Sequence, residues 1–278
     1  MSRIATISRK RRVLVVGDVH GCLRELDDLL AAAGFKAGQD RLVMTGDLLD
    51  RGPDSVGVLR RVRELRGLSV LGNHEEKHLR YRAHEARAKA DPSYKIPMSK
   101  PHPETHDALS EADWKWLERL PLTIEIGADI VVVHGGFSRD LPRWRPRKNV
   151  CRVRYVHKDT RNFQGSRDGW KQPENTIFWT ALYRGTRNVI FGHEPMRQAA
   201  RDYRKDGRWT LGIDTACVFG RALTGYWVGA QRLVSVPAHR KWYAGRDDDA
   251  PKPVERVRDS TPLHVGWREF DWDWRFAE

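Results

Sequence analysis

Six side chains able to bind metal sit beside glycines in five short motifs. They are Asp18 and His20 in Gly17-Asp18-Val19-His20-Gly21, and Asp47 in Gly46-Asp47-Leu48-Leu49-Asp50-Arg51-Gly52. Asn73 follows in Gly72-Asn73-His74-Glu75, then His134 in His134-Gly135-Gly136 and His193 in Gly192-His193-Glu194. Oxygen and nitrogen donors without a thiolate suit Mn, Fe, Zn or a similar divalent ion. Brought together without a cation, these groups would repel or remain unsatisfied. Each motif alone is weak. A Gly-Asp pair after a strand is usually a turn, a lone His is more often structural, and Asn73 reads equally as a helix cap. The same signals five times in order are harder to explain that way.

The apolar pattern shows what must position these residues. Residues 13–16 read as a buried strand, and Leu23, Leu26, Leu29, Leu30 and Ala33 follow at helical spacing, ended by Gly34. A strand over 42–45, a helix over 56–65, a strand over 68–71 and a charged helix over 75–89 come next. This β-α-β-α-β-α order predicts right-handed crossovers and a parallel core. Carboxyl ends of parallel strands open on one crevice, and each motif follows a strand, so the donors converge. Residues 91–106, with four prolines, read as a surface insertion, and 109–120 as a Trp-rich helix. Residues 130–133 and 189–191 read as buried strands. From Trp209 the apolar period becomes two, which predicts antiparallel strands in a second sheet. The chain divides at 1–243, the domain, and 244–278, a linker and aromatic arm with Phe270, Trp272, Trp274 and Phe276.

Composition narrows the classes. The net charge is +13, and the 50 basic residues are 37 Arg and 13 Lys. Arg forks match phosphate oxygens, so an anionic partner is one reading; a G+C-rich genome is the other. Mean hydropathy is −0.66, and the longest apolar runs, 13–17 and 130–133, fall far short of a membrane helix. The run behind the basic N-terminus is too short for a signal-peptide core, so the expectation is a mature, soluble, cytoplasmic chain with no membrane partner. Cys22, Cys151 and Cys217 lie far apart with no CxxC, which predicts small core residues rather than disulfides or a zinc knuckle.

The segments GDVHG, GDLLDRG, GNHE, HGG and GHE, in this order over 17–194, resemble the phosphoprotein-phosphatase branch of the calcineurin-like metallophosphoesterases. The later GIDTACVFG stretch over 212–220, with Leu223-Thr224-Gly225, is similar to the bacterial symmetrical bis(5′-nucleosyl)-tetraphosphatase subgroup. The resemblance implies an α/β fold of αββα sandwich type, with mixed central sheets flanked by helices and a dimetal site at the strand carboxyl ends. Two departures stand out. The GHxH motif of many family nucleases lacks its second His here, where Glu194 and Pro195 follow His193, which favours the phosphatase branch. Ala216 stands where the tetraphosphatase subgroup commonly has Gly. Asp50 and Glu75 have the protein-phosphatase form.

Position by position, the resemblance implies that Asp18 and His20 bind one divalent ion, that Asp47 bridges, and that Asn73, His134 and His193 bind the second. Manganese is the expected ion, with Fe, Zn, Co or Ni as alternatives. Arg51 and Asn73 would contact the substrate phosphate, and water would attack phosphorus directly. His74 would protonate the leaving oxygen, held by Asp50. Arg152, Arg154 and Arg167 are candidates for a second phosphate clamp. Asp214 reads either as support for a ligating His or as a turn carboxylate. The expected substrate is a dinucleoside polyphosphate cut symmetrically; the alternative is a phosphoprotein, cut by a Ser/Thr or dual-specificity phosphatase. A nucleic-acid-binding protein on an inactive scaffold is the non-enzymatic reading, with Arg143-Trp144-Arg145 stacking on bases; the same residues read equally as a substrate rim for adenine or a packed surface turn. The complete ligand set argues against an inactive scaffold.

Overall fold

The computed structural model describes residues 4–138, 149–165 and 172–244. The first half runs β1 (Ile4–Ile7), β2 (Val13–Val16), α1 (Leu23–Ala33), β3 (Arg41–Met44), α2 (Ser55–Glu64), β4 (Leu68–Ser69) and α3 (Asn73–Ala90). Helices α4 (Pro103–Ala108) and α5 (Glu111–Leu117) and strands β5 (Thr123–Ile126) and β6 (Ile130–Val133) follow. The remainder is β7 (Tyr155–His157), β8 (Phe163–Gln164), β9 (Thr176–Phe178), β10 (Asn188–Phe191), β11 (Ala200–Tyr203), β12 (Trp209–Gly212), β13 (Ala222–Trp227) and β14 (Arg232–Pro237).

Two large sheets carry the strands, one ordered β1-β5-β6-β10-β12-β11 and the other β14-β13-β2-β3-β4. Each has a parallel heart, β6-β10-β12 in the first and β2-β3-β4 in the second. A continuous apolar strand is buried on both faces, and the two-residue alternation shows what covers each face. Val13 and Val15 of β2 point between the sheets, against Ile130, Val132, Ile190 and Leu211. Leu14 and Val16 point the other way, onto Leu26, Leu29, Val58 and Val62 of α1 and α2. Val131, Val133, Val189 and Phe191 cover the outer face of the six-stranded sheet, against Trp114, Leu117 and Trp179. Each such side chain contributes about 1.5–3 kcal/mol of burial. The layers run helix, sheet, sheet, helix, as the αββα expectation has it.

Local signals set the helix ends. Gly34 closes α1 in the left-handed region (φ 63°), and Asp54 opens α2 by accepting from Gly57 N at 2.7 Å. Helix α3 begins at Asn73, two residues before the sequence pattern places it, so Asn73 and His74 occupy its first turn.

Several readings need correction. The parallel core read over 13–89 is present as β2-β3-β4, but the buried strands over 130–133 and 189–191 belong to the other sheet. The period-two region does not form a sheet of its own. β12 lies parallel to β10, while β13 and β14 extend the β2 sheet antiparallel. Alternation names the buried face of a strand but not its neighbour. Segment 91–106 is not wholly surface: Pro103 opens α4, and His106 is buried. The helix expected over 109–120 is limited to α5. Strand β1, a parallel edge strand on β5, and a third sheet of order β8-β7-β9 were unforeseen. All three cysteines are buried and free, as core residues should be. Among the described residues no helix is long and apolar enough to cross a membrane. The readings for Arg143-Trp144-Arg145, Arg167 and the arm beyond residue 244 lie outside the described residues.

Candidate metal centre

The donors come off strand ends in two groups. Asp18 and His20 follow β2, Asp47 follows β3 and Asn73 follows β4, whereas His134 follows β6 and His193 follows β10. The centre therefore lies on the seam between the carboxyl ends of two sheets. The loops that carry it are held in unfavourable backbone. His20, Asp47, Asp50, Arg51 and His193 have φ of 46°, 48°, 73°, 71° and 70°, a left-handed conformation costing about 1–3 kcal/mol for a non-glycine residue. Glycine permits the closest approaches: a Cβ at Gly192 would run into the Asp18 carboxylate, and one at Gly72 into the amide and carboxylate of Asp47.

Hydrogen bonds aim the imidazoles. His20 Nδ1 donates to Leu49 O at 2.9 Å, and His134 Nδ1 donates to Thr45 O at 2.8 Å. Their Nε2 atoms then face Asp47 from opposite sides, 3.4 Å from Oδ2 and 3.3 Å from Oδ1. Asp47 thus offers one oxygen to each imidazole, the disposition of a bridging carboxylate. Asn73 Oδ1 lies 3.0 Å from His134 Nε2. Three acceptors meet there, and a positive charge reconciles them. A proton on His134 is one solution: burial opposes it, but Asp47 and Asp18 push its pKa up to about 9. A divalent cation is another. His193 Nε2 is buried without a hydrogen-bond partner among the described residues, and burial together with Arg154 holds its pKa well below the usual value. Burial and Arg51 do the same to His20, whose Nε2 accepts from Arg51 Nη1 at 3.0 Å. His20 and His193 are thus neutral imidazoles, whose Nε2 lone pairs suit a metal ion.

Ligand atoms of Asp47, His134 and His193 lie within 4.8 Å of one another, as do those of His20, Asp47 and His74. Asp18 joins neither triplet. It accepts from Thr45 Oγ1 and His193 N, each at 2.8 Å, and its Oδ1 is 4.0 Å from His134 Nδ1. Burial and the nearby Asp214 raise its pKa well above the usual carboxylate range, a charge imbalance that a cation removes. Asp214 itself accepts from Ala216 N at 3.0 Å, which is the turn role rather than support of a ligating His.

His74 stands beside this group. Its Nδ1 donates to Asp50 Oδ2 at 2.7 Å, and its backbone N to Asp47 Oδ1 at 3.0 Å. Burial lowers the His74 pKa, while Asp47 and Asp50 oppose the fall. Asp50 is fully buried; burial alone would raise its pKa, but hydrogen bonds from His74 and His78 hold it well below the usual range. Glu75 locks the loop after β3, accepting from the N–H groups of Asp47, Leu48, Leu49 and Gly72 at 2.8–3.1 Å. Burial and Asp47 push its carboxyl up to about 7, whereas four donors favour the ionised acceptor.

A cavity of about 320 Å³ opens on the centre, lined by Asp47, Asn73, His193, Arg51, Arg152 and Arg154. Arg152 is braced by Glu76 at 2.7 Å, and Arg154 by Glu194 at 2.6 Å and His193 O at 2.8 Å. Tyr155, Phe163 and Gln164 of the third sheet form another wall. Sequence reasoning missed those residues, along with Thr45 and His78. For His78 a signal existed: it lies four residues after His74, hence on the same helix face.

Residues 11–220 match the family model described as calcineurin-like phosphoesterase. The chain is 32% identical to serine/threonine-protein phosphatase 1 of Salmonella typhimurium, over 77% of this chain and 90% of that protein. It is 26% identical to the asymmetrical bis(5′-nucleosyl)-tetraphosphatase PrpE of Oceanobacillus iheyensis, over 86% of this chain and 97% of that one. It is 40% identical to the symmetrical bis(5′-nucleosyl)-tetraphosphatase of Edwardsiella ictaluri, but over only 47% of this chain and 44% of that protein. A crystal structure of a proposed diadenosine tetraphosphatase superposes with a TM-score of 0.69 at 30% identity, covering 86% of this chain and 99% of that one.

Proposed function

The chain belongs to the calcineurin-like phosphoesterases, and from that premise we propose a two-metal hydrolase that cuts dinucleoside polyphosphates symmetrically. The observation that carries this reading is the Asp47 carboxylate set between two imidazoles at the floor of an arginine-lined cavity. Asp18 and His20 would hold one cation and Asn73, His134 and His193 the other, with Asp47 shared and manganese the expected ion. Two divalent cations there would lower the pKa of a water and neutralise phosphoryl charge.

The chain's own residues do the rest. Asn73 and Arg51 orient the phosphoryl oxygens; the planar guanidinium of Arg51 can bind two of them at once. Arg152 and Arg154, both braced by carboxylates, add positive charge along the polyphosphate. Water attacks phosphorus directly. His74 gives a proton from Nε2 to the leaving oxygen, while Asp50 holds Nδ1–H and supports the charged ring. Free, buried cysteines suit a cytoplasmic location.

The test is product analysis. Manganese-loaded protein with diadenosine tetraphosphate should yield two ADP per molecule cut. AMP plus ATP would reject symmetrical cleavage in favour of the course named for the Oceanobacillus relative. The second reading is a Ser/Thr protein phosphatase, favoured by the buried His74–Asp50 pair at 2.7 Å, because an alkoxide leaving group needs an acid that a diphosphate does not. Efficient phosphopeptide turnover without nucleotide turnover would put that reading first.

A further inference from the structure

Behind the His74–Asp50 pair the hydrogen bonds continue. His78 Nε2 donates to Asp50 Oδ1 at 2.8 Å, His78 Nδ1 lies 3.0 Å from His106 Nδ1, and His106 Nε2 donates to Glu85 Oε2 at 2.9 Å. Asp50 and His78 are fully buried and His106 is 5% exposed, so each link has to be made within the protein or leave a polar atom unsatisfied away from bulk water. The chain ends on a carboxylate at each side, and both accept. Each outer link therefore needs a proton on its ring nitrogen, and the facing Nδ1 atoms need one between them. That makes three protons on four ring nitrogens, where two neutral imidazoles carry only two.

We propose that His78 and His106 form one singly protonated imidazole pair that positions Asp50, and through it His74, for proton donation to the leaving oxygen. The functional part rests on the reading of His74 as the acid. With Oδ1 held by His78, Asp50 cannot rotate away from His74, and its Oδ2 stays on Nδ1–H. The shared proton sits on either ring, balancing Asp50 or Glu85. The groups facing the pair are consistent with one added charge. His74 and His102 lie beyond Asp50, with His102 Nε2 3.9 Å from it; Tyr81 and Trp114 set ring edges on His106, and Arg82 lies over Trp114 and is paired with Glu111. Helix α4 brings His106 to α3, which gives the Pro-rich segment a role at the centre. His78 and His106 are positioning residues; neither lines the cavity.

The proton count is read first, by imidazole ¹⁵N NMR on the histidine-labelled protein loaded with diamagnetic zinc, assigned with His78→Gln and His106→Gln. Three protonated nitrogens and one bare nitrogen in the pair at neutral pH are expected; two neutral rings would overturn the proposal. Glu85→Gln, at the partly exposed end of the chain, offers an amide that can donate to His106 Nε2 and should leave only two protonated nitrogens in the pair; an unchanged count of three overturns the dependence on Glu85. The functional arm uses His106→Phe, which keeps a ring against Tyr81 and Trp114, and His78→Leu, with His78→Gln restoring a donor to Asp50. Turnover of phenyl phosphate should fall about tenfold in His106→Phe and His78→Leu and recover in His78→Gln, while p-nitrophenyl phosphate changes less than about twofold. Equal losses on both substrates, or none, would overturn the positioning role. If His74→Asn is itself insensitive to the leaving group, the acid reading has failed instead, and the NMR count still decides the pair.

Discussion

Asp47 presents one carboxylate oxygen to each of two imidazoles, so its replacement should be felt on both sides of the centre. In Asp47→Asn one oxygen becomes an NH₂ group, which repels a cation. Activity should be abolished, and elemental analysis after manganese loading should fall from two ions per chain toward one or none. Unchanged metal content would remove Asp47 from the shared position. His74 is different, because a carboxylate, Asp50, holds its Nδ1–H where backbone carbonyls hold those of His20 and His134. His74→Asn should keep both ions and the fold, and lose about 10²–10⁴-fold on phosphoserine peptides. The loss on p-nitrophenyl phosphate should be much smaller, since nitrophenolate departs without a proton. Parallel kinetics on the two substrates, with metal content measured alongside, decide between acid catalysis and metal binding.

The same logic applies to elements. The five strand-end motifs were legible because a fully buried strand is a short apolar run that stops abruptly, and the residues after it must turn. That is how residues 13–16 and 130–133 announced the loops carrying Asp18 and His134. What could not be read was which sheet each strand joins. Val13 and Ile130 look alike in sequence, and only packing puts them in facing sheets. Strands β7, β8 and β9 have two or three residues each, too few to show a period, so the cavity wall bearing Phe163 was invisible. His106 was hidden for another reason: prolines and charges mark a loop, and its burial comes from His78 and Tyr81 of α3 and Trp114 of α5 rather than from a pattern of its own. One local mismatch carries a prediction. Ala216 has φ 59° and ψ 42°, a left-handed conformation that costs an L-residue about 1–2 kcal/mol. Glycine removes that strain but adds about 0.4–1 kcal/mol of unfolded-chain entropy. Ala216→Gly should therefore stabilise by up to about 1.6 kcal/mol, seen as a higher melting temperature with metal content unchanged. A lower one would mean that the Ala216 methyl packs better than its backbone suggests.

At the scale of the whole molecule, a chain of net charge +13 has three arginines in its cavity and attracts multiply charged anions before contact. Its KM for diadenosine tetraphosphate should rise steeply between low and physiological salt, because screening shortens the reach of that field to about 8 Å. The KM for singly substituted p-nitrophenyl phosphate should rise less. Equal slopes would mean that the surplus charge lies elsewhere than along the substrate's approach. The seam between the sheets also governs when the centre can exist. Asp18, His20, Asp47 and Asn73 leave the ribosome early, His134 and His193 well after them, and β13, which pairs with β2 to continue the five-stranded sheet, later still. A nascent chain thus carries four of the six candidate ligands through much of its synthesis, without the two imidazoles of the other sheet. A site of Asp18, His20 and Asp47 would be complete within the β2-β3-β4 sheet, whereas the second, with His134 and His193, would form only after both sheets dock and so would mark the end of folding rather than its beginning.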